Sequence, residues 1–488
     1  MDKNAKREKW IFALLTVCVF ICMFAFFYGA HRIVILDSDD WQYVSYARPA
    51  IPYTKFWNPA RILPEVLMPA CGSLAALIYH MQIGSLGYIE SQCLVFAAVL
   101  SVFIAFYVRA FAVLIRKKFE LNYGATILIS AIFLLLHFLI YRTAKSDNLY
   151  MFWSYDATCY FYYTIPDLLC CTLVMYFESS GILDSFFSKD KLLAKSFIVV
   201  AVYFAIFSNL FNSAILAIYM GYEIVKSRKI KLMPALIIVL WLISMVFEAL
   251  GGRGSVGINN PLRLNYVIYD FLTDFTSMSI YFIGLVLLIV ASAFIVNAVK
   301  KKKKSGLLKK LAPHIFAFFV ISIFELLLCA KIEPQYIKRP QVFFGIAFAI
   351  FIITTFCLAD IVKSVPQTLL VLPIMAIVML SITNTQQITF AESNTMNLPW
   401  QTCINIDNDL ISQITDADSR GEAQMTLEVM DTGWDDNWPH SNHVVYGIEQ
   451  SLYKHGIISK HMEITPHWSL DFNERNNLNI TEFSENRY

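Results

Sequence analysis

The sequence predicts a polytopic α-helical membrane protein of about nine to eleven spans with a small α/β domain outside the membrane at its C-terminal end. Three observations lead there. Of 488 residues, 57% are hydrophobic and only 16% charged, with a mean hydropathy of +0.55, whereas a soluble chain is about a quarter charged. Apolar runs of roughly 17–25 residues, the length that crosses a bilayer, recur along the chain. From residue 384 onward these runs stop, and sixteen acidic residues stand against five basic ones. The chain thus divides into a membrane domain, 1–383, and a C-terminal domain, 384–488.

Lysine and arginine gather on the cytoplasmic side of membrane proteins, and this orients the spans. Lys3, Lys6, Arg7 and Lys9 hold the N-terminus inside, so the first helix covers about 10–30. Further basic clusters at 116–118, 189–195, 226–231 and 300–310 are placed inside by spans near 90–115, 124–141, 160–177, 232–250, 276–299, 312–330, 343–362 and 367–383. Residues 62–82 are apolar but interrupted by Pro64, Pro69 and Gly72, and a crossing there would put 116–118 outside. They are expected to lie on the outer face as an interfacial or half-inserted segment. Residues 196–225 have basic flanks on both sides and fit either a re-entrant loop or a full helical hairpin. Either way the C-terminus falls outside. Within the C-terminal domain, "MTLEVM" reads as a strand and "HVVYGIEQSLYKHG" as an amphipathic helix closed by Gly456. Most of the ten cysteines sit inside apolar runs, as small hydrophobes rather than a disulfide framework.

The first outer loop, 31–87, opens with "ILDSDDWQY", three carboxylates at a membrane exit. Its aromatic residues, Trp41 and Trp57 among them, suit pyranose faces, while its carboxylates accept hydroxyl hydrogens and its cations suit phosphate. A carboxylate beside a reacting hydroxyl can take its proton, and a neighbouring one can bind a divalent cation, Mg or Mn, through oxygen. The competing structural reading is a helix cap, with Asp37 or Ser38 opening a short helix. Further along, "FWNPARILPE" places Glu65 four positions after Arg61, on one face if the segment is helical.

An outer loop opening on an acidic pair and Trp, followed by a W-N-x-x-R element, resembles the GT-C class of integral-membrane glycosyltransferases. Length, an odd span count and an acidic outer C-terminal domain are most similar to the phage-type serotype-converting O-antigen glucosyltransferases of enteric bacteria. The resemblance implies transfer of a hexose, glucose in that group, from an undecaprenyl phosphate sugar to O-antigen or a related surface glycan. It places the chain in the bacterial inner membrane, with the N-terminus cytoplasmic and the C-terminus periplasmic. It also implies that Asp39 is the catalytic base with Asp40 second, although that family often has Asp-Glu where this chain has Asp-Asp. Arg61 is then assigned to donor phosphate, and Glu65 to acceptor or structural support.

Cations on outer loops run against the orienting bias. Arg253 and Arg263 in "GGRGSVGINNPLRLNY", and Lys338 and Arg339 in "KIEPQYIKRPQ", are expected to meet a lipid phosphate or anionic headgroups. No nucleic-acid partner is expected. A flippase for lipid-linked oligosaccharide would instead need ionisable residues facing a central cavity. An O-antigen polymerase would not require the acidic pair.

Overall fold

Among the described residues the membrane domain is built mainly from α1 (Lys3–Phe24), α2 (Ser38–Tyr43), α3 (Ile62–His80), α4 (Tyr88–Phe119), α5 (Tyr123–Leu139), α6 (Ile165–Ser180), α7 (Leu192–Ile206), α8 (Leu210–Ser227), α9 (Leu232–Gly251), α10 (Leu264–Ser277), α11 (Ile280–Val299), α12 (Leu307–Lys331) and α13 (Pro340–Val362). A π-turn, Ala25–Ala30, extends α1, and another, Tyr160–Thr164, leads into α6. The computed structural model describes residues 3–51, 58–141, 149–186, 192–251, 260–299, 306–363, 390–394, 396–431 and 441–478. Seven described helices, namely α1 with its π-turn, α3, α4, α9, α11, α12 and α13, are long and apolar enough to cross a membrane. The expected span at 367–383 lies outside the described residues.

Helix α13 is buried at every position except Ile350, Ile353 and Asp360, because its sequence is apolar on all faces and other helices surround it. Helices α1 and α9 instead leave Leu14, Val17, Ile21, Val239, Leu242 and Val246 exposed, an apolar surface suited to lipid. The basic clusters collect at one end of the bundle. There Lys118 pairs with Glu178, Lys310 donates to the Lys118 carbonyl (2.6 Å), and Lys363 meets Glu120 (3.3 Å). Segment 196–225 folds as two helices, α7 and α8, joined by a short turn at 207–209. Helix α8 starts at the opposite end, where Asn209 caps it (3.0 Å to Phe211 N), and reaches back until the Tyr219 hydroxyl meets His314 Nδ1 (2.8 Å).

The proline-containing segment is one continuous helix, α3, and not the interrupted stretch its composition suggests. Pro64 falls in its first turn, where no N–H is needed. Pro69 cannot bond the Glu65 carbonyl, and the Arg48 N–H takes that acceptor instead (3.1 Å). Both ends of α3 touch the same end of the bundle. Leu63 N–H donates to Phe207 O at the α7–α8 turn (3.2 Å), and His80 Nε2 bonds the His455 carbonyl of the C-terminal domain (2.7 Å). The helix therefore lies along that end instead of running the length of the bundle.

The C-terminal domain comprises α14 (Trp400–Ser419), β1 (Gln424–Met430), α15 (Val445–Lys454), β2 (Glu463–Ser469) and α16 (Leu470–Arg475). Its two strands pair in parallel from Gln424↔Glu463 to Met430↔Ser469. Parallel neighbours need a crossover, and α15 lies within it. Gly456, with φ of +70°, lets the chain leave α15 as the sequence predicts. The domain docks on α2. A Cβ on Gly447 would lie 2.5 Å from Gln42 N and 2.7 Å from Trp41 C, so the α15 backbone rests directly on that of α2. From the other side Gly72 of α3 is pressed against the Val44 carbonyl. Two glycine contacts thus clamp the short helix that carries the acidic pair.

Candidate functional site

The acidic stretch does form a helix cap. The Asp37 side chain accepts the Asp39 N–H (2.8 Å), and Asp40 Oδ2 accepts the Asp37 and Leu36 N–H groups (3.3 and 3.2 Å), closing a capping box. Capping and a functional site are not exclusive here, because the two neighbouring acids end in different surroundings. Asp40 is fully buried, and its Oδ1 accepts both the N–H and the hydroxyl of Thr158 (2.6 and 2.7 Å). Four donors make it a tether between the first outer loop and the approach to α6. Asp39, one residue earlier, is half-buried.

Asp156 caps the turn before α6 by accepting the Cys159 N–H (2.5 Å) and interacts electrostatically with Asp39 and Arg339. The Arg339 guanidinium lies over the rings of Tyr155 (4.7 Å) and Tyr336 (4.3 Å), one cation held by aromatic faces. Asp156 is not among the residues that the sequence singles out. The usable signal was its N-cap position, "YDATC", ahead of an apolar helix.

Crowding of carboxylates in a buried setting disfavours their charged forms. Burial, then the charges of Asp156 and Asp40, hold the Asp37 carboxyl well above the usual range. Burial and Asp156 push Asp40 up to about 8, against the pull of its Thr158 and Leu36 donors. Burial and Asp39 push Asp156 up to about 6, with the Cys159 N–H and Arg339 opposing. The cluster thus carries less than its formal charge near neutrality. Among the described residues no group of three or more His, Cys, Asp or Glu side chains is placed to hold a metal ion.

Several expected assignments change. Trp41 is fully buried, and its carbonyl accepts the Ser451 hydroxyl (2.5 Å), so it seats the C-terminal domain and has no free face for a sugar. Its indole points toward the buried Asp407 of α14 without forming a well-shaped hydrogen bond. Arg61 and Glu65 do not pair with each other. Arg61 occupies the left-handed region (φ +63°) as the residue before α3, which sends its side chain to Glu248. Glu65 is paired with Arg48 and accepts the Tyr162 hydroxyl (3.1 Å). Arg263 meets Glu333 (3.6 Å), and Lys338 meets Asp270 (2.6 Å), so both cations have acidic partners other than Asp39 and Asp156. Of the three described outer-loop cations, Arg339 is the one brought to the carboxylates. Trp57 and Arg253 lie outside the described residues.

No family model matches the chain, and no curated protein or solved structure is significantly similar to it.

Proposed function

We propose that the protein is a membrane glycosyltransferase of the GT-C type, acting at the mouth formed by Asp39, Asp156 and Arg339. More particularly, it moves a hexose, glucose by the sequence resemblance, from an undecaprenyl phosphate sugar to O-antigen or a related glycan on the periplasmic face. One observation carries this reading: a half-buried carboxylate stands on a clamped helix, with a second carboxylate and an aromatic-flanked arginine opposite. In the proposed step an acceptor hydroxyl attacks the anomeric carbon. The C1–O bond to phosphate breaks, Asp39 takes the hydroxyl proton, and polyprenyl phosphate leaves with inversion. Arg339 is the group suited to the leaving phosphate, since guanidinium binds such oxygens in a fork. Asp156 is suited to hold the acceptor.

The test is transfer by the purified protein from an undecaprenyl phosphate hexose, with the product identified by mass and linkage. Transfer that persists at wild-type turnover in Asp39→Asn removes Asp39 as base. A flippase for lipid-linked sugar is the second reading, favoured by two carboxylates, Asp167 and Glu325, buried within the bundle. Movement of a lipid-linked sugar across reconstituted vesicles without any transfer to acceptor would select it.

A further inference from the structure

Below the mouth, Tyr163, Phe211, Cys329 and Val342 pack in a separate apolar cluster. Four polar side chains adjoin this layer. Asp167 follows Tyr163 by one helical turn on α6, and Glu325 precedes Cys329 by one turn on α12, both toward the basic end of the bundle. Asn212 is adjacent to Phe211 on α8, and Gln341 to Val342 on α13. All four are at most 1% exposed. Among the described residues, Asp167 Oδ2, both Glu325 oxygens and both polar atoms of Asn212 and Gln341 have no well-formed hydrogen bond. The Asn212 amide is aimed at Asp167, and Glu325 and Asp167 act electrostatically on each other.

Two ordinary explanations fit poorly. A structural ion pair needs a cation, and among the described residues no lysine or arginine acts on either carboxylate. A proton shared between the two acids would place them in hydrogen-bond contact, yet neither Glu325 oxygen has such a partner. What remains is a set of carboxylate and amide oxygens, formally doubly negative, in surroundings that cannot solvate it. Hard divalent cations take such all-oxygen sets. We propose that Asp167, Glu325 and Asn212 bind one divalent cation inside the bundle, separate from the Asp39–Asp156 mouth. Occupancy would join α6, α8 and α12 directly beneath that mouth.

The experiment uses full-length protein purified in detergent, stripped with EDTA and titrated with Mn²⁺ under electron paramagnetic resonance. One Mn²⁺ per chain is expected, displaced by Ca²⁺ and not by Na⁺. Asp167→Asn and Glu325→Gln should each weaken binding about tenfold or more, because removing a ligand charge lowers affinity. Asp39→Asn and Asp156→Asn should keep it, which separates this site from the proposed transfer reaction. Elution as a single species and an unchanged far-ultraviolet spectrum establish that each variant is folded. Wild-type protein that binds no Mn²⁺ overturns the proposal whatever the variants do. So does binding that survives both Asp167→Asn and Glu325→Gln, or that is lost only with the mouth variants.

Discussion

The mouth and the bundle interior each bury carboxylates, but they supply them very differently. Asp37, Asp40 and Asp156 stand at the starts of helices, where backbone N–H groups have no partner within the helix and turn to the acids. Asp167 lies in the first turn of α6 but follows the Tyr160–Thr164 π-turn, which already takes the Ile165 N–H, and Glu325 lies within α12; both keep unpartnered oxygens. Burial alone therefore does not decide what an acid does. The supply of donors does, and it depends on where in a helix the residue falls.

The largest effect expected from breaking this contrast is at Asp39. Asp39→Asn preserves shape and removes the proton acceptor, so transfer from the lipid-linked hexose should fall about a hundredfold or more at unchanged expression. Turnover of purified protein measures it.

Gly447→Ala attacks the clamp instead of the chemistry. A methyl group forced against the Gln42 and Trp41 backbone should cost about 1–3 kcal/mol. It should also loosen the C-terminal domain, visible as earlier proteolysis between the domains. Unchanged protease sensitivity would mean the close approach is easily relieved.

Asp40→Asn and Glu325→Gln sharpen the contrast as a pair. The first keeps one acceptor oxygen, so either the Leu36 and Asp37 N–H groups or the Thr158 N–H and hydroxyl are left facing an amide NH2, for a loss of about 2 kcal/mol in thermal or denaturant unfolding. The second replaces an unpartnered buried carboxyl by an amide of the same shape, and in EDTA it should leave the protein about as stable as wild type. Equal destabilisation by both would erase the distinction between donor-rich and donor-poor acids.

The pH dependence follows from the mouth. Asp40 and Asp156, raised to about 8 and about 6, hold more protons folded than unfolded between their ordinary range and those values. Their contribution to stability therefore declines as pH rises through that window, and the unfolding temperature should drop from pH 5 to 8. Asp156→Asn should flatten the lower part of the slope. Transfer should show an acidic limb near pH 6 that moves upward in Arg339→Gln, because the lost cation favoured the Asp156 carboxylate.

The smallest effect is expected at Lys338, whose side chain is 47% exposed in its pair with Asp270. Lys338→Met should change stability by less than about 1 kcal/mol and leave transfer near wild type. A large loss of transfer would return Lys338 to the donor phosphate.

Local signals determined much of this protein without help from the fold. Apolar runs set the long helices, turn residues marked Gly456, and the Asp-Ser-Asp-Asp pattern specified a cap, since each depends on residues within a turn or two of one another. Only the tertiary structure decided which acids meet. Thr158 reaches Asp40 across 118 positions, Ser451 covers Trp41 across 410, and Glu248 draws Arg61 away from Glu65 across 187. No periodicity carries such information, because helical spacing fixes which face a side chain occupies but not which segment packs against that face. The same limit kept Asp156 apart from Asp39 on paper: 117 residues separate them in sequence, and it is the packing of α2 against the turn before α6 that joins them at one mouth.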